Sequence, residues 1–577
     1  MKTIYRTFRA LCGLCLLCGL SASCSDFLDE HVPQGTLSDE QVKTPDNAEA
    51  MVVSAYAIFT TAEDINSSFS MWNFDVRSDD AYKGGSGTSD GDVFHQLEVQ
   101  QGVLTTNWNI NDMWVRLYNS LSRVNTAIAL LNESNYPMKT QRLAEMKFLR
   151  AYGHFLLKRL YKNIPFVIDE KLTYNEYNTL SNRAYTNDEG WQLIIDDLME
   201  AYNTLPEVQD QKGRPTRAAA AAFLAKVYLY KAYRQDDARS NQVTSINQGD
   251  LEKVIEFTNP ALYANYGLED DIHNNFRPEE EYENGIESIW AIQYSRNDGS
   301  TYGNLNWSYG LIPPNIPGAT DGGCDFYKPS QNLVNAYRTG ADGLPMLDSF
   351  NDKDYNINED NADPRLFLTV GMPGLPYMFN RNFMMEDTSI WSRSNGLYGY
   401  YVSLKHNVDP ALIGTYLIKG SYWATSMNRI VFRYADVLLM RAEAYAQLGQ
   451  ADQAITLVNQ LRSRAATSTQ MISGYPGTYG VKMYISNYRG GYSKDEAVKI
   501  VKMERRLEMG MESERFFDLV RWGDAATVLN KYYSEEIDHC AIYSAARFTA
   551  NKDEYLPIPF SQISASNGHY TQNIGNW

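Results

Sequence analysis

Residues 428–465 read NRIVFRYADVLLMRAEAYAQLGQADQAITLVNQLRSRA, and the fold is decided there. With Tyr445 as the anchor of a helix-turn-helix unit, Leu438 and Ala442 fall on its face of the first helix, and Ala454, Val458 and Leu461 on the second. That alternation of large and small residues is the pattern of a tetratricopeptide unit. Gly449 stands where the first helix has to end, because glycine enters the left-handed conformation without steric cost. One such hairpin cannot bury its apolar face alone, so partner hairpins are expected elsewhere in the chain.

Working upstream, the spacing predicts a helix over 112–131, with Leu117, Leu121, Val124 and Ile128 on one face. Another is expected near 141–161 around FLRAYGHFLLKRLY, and a further pair from Trp191 to AAFLAKVYLYKA, where Ala225 and Tyr228 are placed as Ala442 and Tyr445 are. Helical pairs are thus expected within about 112–258 and 434–465, with a first helix near 46–62. Between them, residues 283–425 are rich in Gly, Pro, Asn and aromatics and carry only short β-like runs, which predicts an irregular, loop-rich insertion. Downstream, 494–522 reads as one helix whose opposite charges pair at three- and four-residue spacing. Phe516, Leu519 and Trp522 would face the core, and a proline-punctuated tail closes the chain. The expected class is mainly α: a tetratricopeptide-like superhelix with a large insertion and few short strands.

The N-terminus has a basic head, an apolar run from Ala10 to Leu20, and Ser21, Ala22 and Ser23 before Cys24. This is the layout of an export signal over residues 1–23, with 24–577 as a single mature domain. Cys24 is the expected lipidated residue; the alternative is a secreted protein cut nearby. Cys12, Cys15 and Cys18 lie inside the discarded apolar segment, leaving Cys324 and Cys540 to form at most one disulfide beside an acylated Cys24. The formal charge is −18, and loss of Lys2, Arg6 and Arg9 with no acid takes the mature chain three units further. Such an acidic balance argues against a nucleic-acid footprint, which needs Lys and Arg on phosphates.

No enzyme motif stands out. The seven histidines are dispersed, with no HExxH pair, and there is no GxSxG elbow. The Gly-rich run GGSGTSDGD lacks the Lys-Ser/Thr ending of a phosphate loop. Acidic residues 351–360, NDKDYNINED, have the composition of a calcium loop, but Ile357 stands where that loop needs glycine. A structural calcium is the one metal left open, and no other cofactor is expected. Tyrosines, 41 against 22 phenylalanines, favour rings with a wet edge, and a sugar's C–H face stacks on such rings while its hydroxyls seek amides, carboxylates and guanidinium groups. Candidate ligand residues in irregular polar segments are Asp64, Asn66, Asp90, Trp108, Asn306, Trp307, Tyr309, Arg393 and Tyr398. For each, the structural alternative is a cap or a ring packed on the scaffold.

Four features together resemble the SusD/RagB family of outer-membrane nutrient-binding lipoproteins of the Bacteroidetes: Cys24 followed by SDFLDE, the segment RYADVLLMRAEAYAQLG, the segment ERRLEMGMESERFFDLVRWG, and LPIPFSQI with the closing TQNIGNW. The resemblance implies a tetratricopeptide superhelix behind a loop-rich ligand face, held on the cell outer membrane by lipid at Cys24. It also implies capture of oligosaccharides without catalysis, and a SusC-like TonB-dependent transporter as partner, over which the protein acts as a hinged lid. Only Cys24 carries over position by position, since ligand contacts in the family follow no fixed motif. The competing expectations are a surface glycoside hydrolase lipoprotein and a repeat scaffold that binds protein or peptide.

Overall fold

The computed structural model describes residues 44–60, 75–299, 303–308, 310–316, 322–419 and 422–577. The chain is mainly α. Its principal helices are α1 (Pro45–Ala57), α2 (Asp92–Val99), α3 (Trp108–Glu133), α4 (Lys139–Tyr161), α5 (Asn187–Thr204), α6 (Arg217–Ala232), α7 (Gln248–Phe257), α8 (Asn395–Tyr398), α9 (Tyr434–Gln447), α10 (Ala451–Thr467), α11 (Lys494–Met509), α12 (Arg515–Trp522) and α13 (Ala525–Glu536). Four short strands position the insertion and the candidate site: β1 (Ala81–Gly84), β2 (Ser288–Ile292), β3 (Phe326–Pro329) and β4 (Arg429–Arg433).

Each helix packs on the next in chain order, from α3 through α7, and α7 then packs directly on α9, which carries α10 and α11. The stack therefore runs on across the gap that the insertion opens in the sequence. Small residues let the helices approach: a methyl group on Gly153 of α4 would come within 2.8 Å of Leu121 of α3. The alanines of α6 from Ala218 to Ala222 are all buried. In the 434–467 hairpin Leu438, Ala442, Ala454, Val458 and Leu461 are buried, and Gly449 takes φ 77° just past the end of α9. Capping boxes at Thr186 with Glu189 and at Ser493 with Glu496 start α5 and α11, satisfying first-turn N–H groups that have no partner inside the helix.

The insertion leaves the stack after β2 and returns through β4, and these two strands pair antiparallel, so its two ends are clasped side by side. Between them it is irregular and loop-rich with short strands, as its composition predicts, and its apolar residues pack into a lobe with cores of its own. Phe326, Tyr327, Leu333, Tyr337 and Leu366 form a core with Leu507 and Met511 of the helical part, and Tyr377, Trp391, Val402 and Leu404 form a second. Turn-rich sequence here breaks secondary structure without preventing burial. Cys324 and Cys540 are not joined to each other. In the acidic turn 351–360, Asp360 accepts from the Asn356 backbone N–H (2.9 Å) and pairs with Lys353 (2.8 Å), so a cation of the chain itself serves that carboxylate.

The predicted helix over 494–522 is two helices. Met511 and Ser513 take φ of 63° and 65°, which separates α11 from α12. Asp518 and Arg521 pair at three-residue spacing along α12 (2.9 Å), as expected, whereas Glu504, Arg505, Arg506 and Glu508 are buried and reach across to other elements. Glu508 meets Arg433 (2.7 Å), Arg365 (3.0 Å) and Arg464, while Arg433 and Arg464 also hold Glu287, each bond between 2.7 and 2.9 Å. Arg505 bridges Asp436 of α9 and Asp518 of α12. Burial by itself would raise the Glu508 pKa, but the Arg464, Arg433 and Arg365 guanidinium groups hold it well below the usual carboxylate range.

Two sets of buried carboxylates give stability opposite pH dependences. Glu443, against burial, is held down to about 2 by Arg521, and Asp436 and Glu512 are lowered by their cations in the same way. A lowered folded-state pKa contributes stability above the unfolded value of about 4, which is lost as pH falls toward 2. Asp75, Glu283 and Glu536 are pushed up to about 7, chiefly by burial. Their contribution is complete below the unfolded value of about 4 and is lost as pH rises through 7. The thermal midpoint is therefore expected to peak at about pH 4 to 4.5, where the lowered set is nearly complete and the raised set begins to be lost, and to fall on both sides. A midpoint scan that is flat from pH 3 to 8 contradicts this.

Candidate functional site

The Gly-rich run sits at the end of β1, which pairs antiparallel with β3 (Tyr82 opposite Lys328, Gly84 opposite Phe326). The glycines answer a steric demand. At Gly84, φ is 79° and a methyl group would lie 2.3 Å from the Asp325 carbonyl oxygen; at Gly85 it would strike the Phe326 ring at 2.7 Å. The loop closes around a buried cation: Lys83 Nζ donates to the carbonyl oxygens of Gly84 (2.8 Å), Gly87 (2.9 Å) and Asp90 (2.7 Å). The same ammonium lies over the rings of Phe326 and Tyr398.

Asp90, at the loop's far end, accepts from the backbone N–H and the hydroxyl of Ser86, both at 2.9 Å, and pairs with Arg393 at 3.4 Å. Burial opposes ionisation here, yet the Ser86 hydrogen bonds and the Arg393 charge hold the carboxyl below its ordinary range. Trp108 opens α3 just after its cap Asn107, whose side-chain oxygen accepts from the Asn109 N–H (3.0 Å). The indole is 50% exposed and meets Phe94 of α2 edge-on at 6.1 Å. Phe94 in turn lies against Gly91, where a methyl group would touch its ring. The half-exposed indole is thus linked, through the buried Phe94 ring and Gly91, to the loop that carries the Asp90–Arg393 pair.

Of the residues predicted from sequence, the structure brings together Asp90, Arg393 and, through Phe94, Trp108. Asn306 and Tyr398 are buried and make their contacts within the protein. Asn306 is 0% exposed, donates to the Met427 carbonyl (3.3 Å) and accepts from the Ser308 N–H (3.1 Å). Tyr398 is 1% exposed, with its ring beneath the Lys83 loop and beside Tyr82. Trp307 is half-buried in a turn closed by the Gly310 N–H on its carbonyl (3.0 Å). Asp64, Asn66, Tyr309 and Cys24 lie outside the described residues. Lys83 escaped the sequence reading; a lone lysine leading into a glycine run, AYKGGSG, was its signal. A separate groove of about 550 Å³ lies between α1 and β2, lined by Tyr56, Phe59 and Trp290, and none of the predicted residues that the structure describes borders it.

Comparison with known proteins places these features in context. The SusD family model matches residues 286–577, and a model described as "Starch-binding associating with outer membrane" matches residues 26–229. A SusD-like protein of Formosa agariphila is 27% identical, over 92% of this chain and 93% of its own length. A SusD-like protein of Bacteroides ovatus is 28% identical over 87% of this chain and 80% of its own. Among solved structures, a laminarin-binding SusD-like protein superposes with a TM-score of 0.65 at 23% identity, over 92% of this chain and all of that one. A SusD-like protein from Bacteroides fragilis gives 0.69 at 19% identity, over 93% and 98%. Surface glycan-binding protein A from Bacteroides fluxus gives 0.63 at 23% identity, over 92% and 99%. At these identities the structures show a shared fold.

Proposed function

Because the chain belongs to the SusD family, we propose that it is a surface-tethered, non-catalytic protein that captures oligosaccharide and passes it to a TonB-dependent outer-membrane transporter. The observation that supports the reading is the half-exposed Trp108, whose neighbour Phe94 lies against Gly91, next in the chain to Asp90 of the Asp90–Arg393 pair. An indole face supplies the apolar platform for a sugar ring, and the carboxylate and guanidinium supply the planar hydrogen-bonding partners that its hydroxyls need. The family model described as starch-binding and the laminarin-binding neighbour support a polysaccharide ligand. The acidic surface charge favours neutral over polyanionic chains.

The test is retention in affinity gels and titration calorimetry against laminarin, soluble starch, xylan, galactomannan and chondroitin sulfate. Binding of at least one neutral polysaccharide with no new reducing ends is expected. Release of reducing ends supports the hydrolase alternative, and retention by none overturns the reading. Anchoring is tested separately: Cys24→Ala is expected to move the protein from the membrane fraction to the soluble fraction of expressing cells. Unchanged fractionation removes lipidation at Cys24 from the account.

A further inference from the structure

A second concavity, of about 320 Å³, opens between the lobe and the C-terminal helices. Tyr355, Tyr400 and Tyr401 line it, with Met372 and Pro373. Tyr355 comes from the acidic turn 351–360, which is fixed by its N–H on Asn335 Oδ1 (2.8 Å) and by Arg338 on the Lys353 carbonyl (2.9 Å). The run that has the composition of a calcium loop thus presents a ring. Tyr400 and Tyr401 follow Gly399, whose φ of 65° turns the chain at the end of α8 and whose carbonyl is held by the Ser392 hydroxyl (2.9 Å). Both rings are half-buried. Tyr401 donates to Gln331 Oε1 (3.0 Å), and Gln331 donates onward to Asn335 (2.8 Å).

One group in this cleft lacks the partner that folding ordinarily supplies. Tyr355 is only 8% exposed, and its hydroxyl oxygen is buried with no hydrogen bond among the described residues. A buried hydroxyl left unpaired is costly, so such a group beside an open cleft points to a partner from outside the chain. Among the described residues neither Lys nor Arg lines the cleft, and its one histidine, His539, already faces Asp354 at 3.1 Å. A ligand charged enough to need an ion pair has nothing to meet here. What fits is a neutral molecule with apolar C–H faces for the rings and hydroxyls for the amide and the phenols, in a space at the lower end of ligand pockets.

The geometry points to this tyrosine-walled cleft as a second carbohydrate subsite, which takes one or two neutral pyranose units of the same chain that the Asp90–Trp108 face engages. It rests on the glycan-binding reading above. Two elements join the sites. Tyr82, which borders the cleft, immediately precedes Lys83 on β1, so the cleft and the Lys83 loop share one strand. Arg393 and Tyr400 flank α8 on either side. For a chain of several sugars that engages both sites, the second contact is intramolecular.

The experiment uses the full chain and the polysaccharide panel named above, with oligosaccharides of two to eight units cut from whichever member is retained. Affinity is expected to rise with chain length in the wild type. The double variant Tyr400→Ala/Tyr401→Ala is expected to lose about 10-fold for the long chains and to flatten the length dependence. Tyr355→Phe, which removes one oxygen and leaves the ring, is expected to lose about 3-fold; thermal midpoints confirm that each variant is folded. If Trp108→Ala weakens binding while the tyrosine variants leave both affinity and length dependence unchanged, this subsite is overturned and the first site stands. Weakening in the tyrosine variants alone supports the cleft and removes the Trp108 face. No effect from either set, or no retained polysaccharide at all, overturns both.

Discussion

Glu508→Ala is expected to destabilise the protein by about 3–5 kcal/mol, the range for breaking a buried ion pair on one side. The carboxylate is fully buried and receives Arg433, Arg365 and Arg464, while its backbone carbonyl accepts from Arg433 (2.9 Å) and from Lys405 (3.1 Å). Removing it leaves three guanidinium groups converging on a space that water cannot fill well enough to solvate them. That loss is a large share of the roughly 5–15 kcal/mol that holds a typical domain folded. Urea midpoints at pH 7 measure it, with Glu508→Gln intermediate, because it keeps the shape and loses the charge. Lys499→Ala is the control: its partner Asp348 is solvent-exposed, and such pairs are worth about 0–1 kcal/mol. A cost below about 1 kcal/mol at Glu508 means that these charges are solvated and that the helices do not depend on them.

Trp108→Ala is expected to weaken binding of the retained polysaccharide by about 2 kcal/mol, roughly 30-fold, as for other aromatic anchors at binding surfaces. The ring is half-exposed and meets the edge of Phe94, so its removal costs the fold little and the loss falls on the ligand. Trp108→Phe keeps an apolar face of smaller area and is expected to recover part of the affinity. Arg393→Ala is expected to lose less, because it removes one donor and releases Asp90 from a partly exposed pair. Calorimetric titration reads all three, with the thermal midpoint as the folding control. Affinity unchanged in both Trp108→Ala and Arg393→Ala moves the site off this face.

The helical hairpins are legible in the sequence because the spacing that defines them is also the spacing that packs them. Leu438, Ala442 and Val458 recur at positions that only two antiparallel helices bring together, and Gly449 marks the turn by backbone stereochemistry alone. The charges of 504–515 are not legible in that way. Opposite charges three and four residues apart fit a solvated helix and a buried one equally well, and what decides is Arg433, Arg464 and Glu287, whose proximity is a property of the stack. The same holds for the candidate site. Nothing local connects Asp90 to Arg393; the β1–β3 pairing brings one side of that contact into place, and the burial of Tyr398 under the Lys83 loop brings the other. Asn306 is no more legible, since an asparagine bonded to backbone in a packed lobe has the same sequence signature as one waiting for a hydroxyl.

The β2–β4 clasp has a consequence for how such a protein diversifies. Since entry and exit of the lobe are adjacent on one ribbon, a replacement of different length or shape is spliced in without moving the helical chassis, and ligand preference changes while the frame is inherited intact. The exchange has one chemical condition. Arg365 reaches from the lobe to Glu504 (2.7 Å) and Glu508 (3.0 Å), so an incoming lobe that lacks a cation there takes one partner from each buried acid, leaving Glu504 to Arg462 and Glu508 to Arg433 and Arg464. Grafted lobes that keep that arginine are the ones expected to fold.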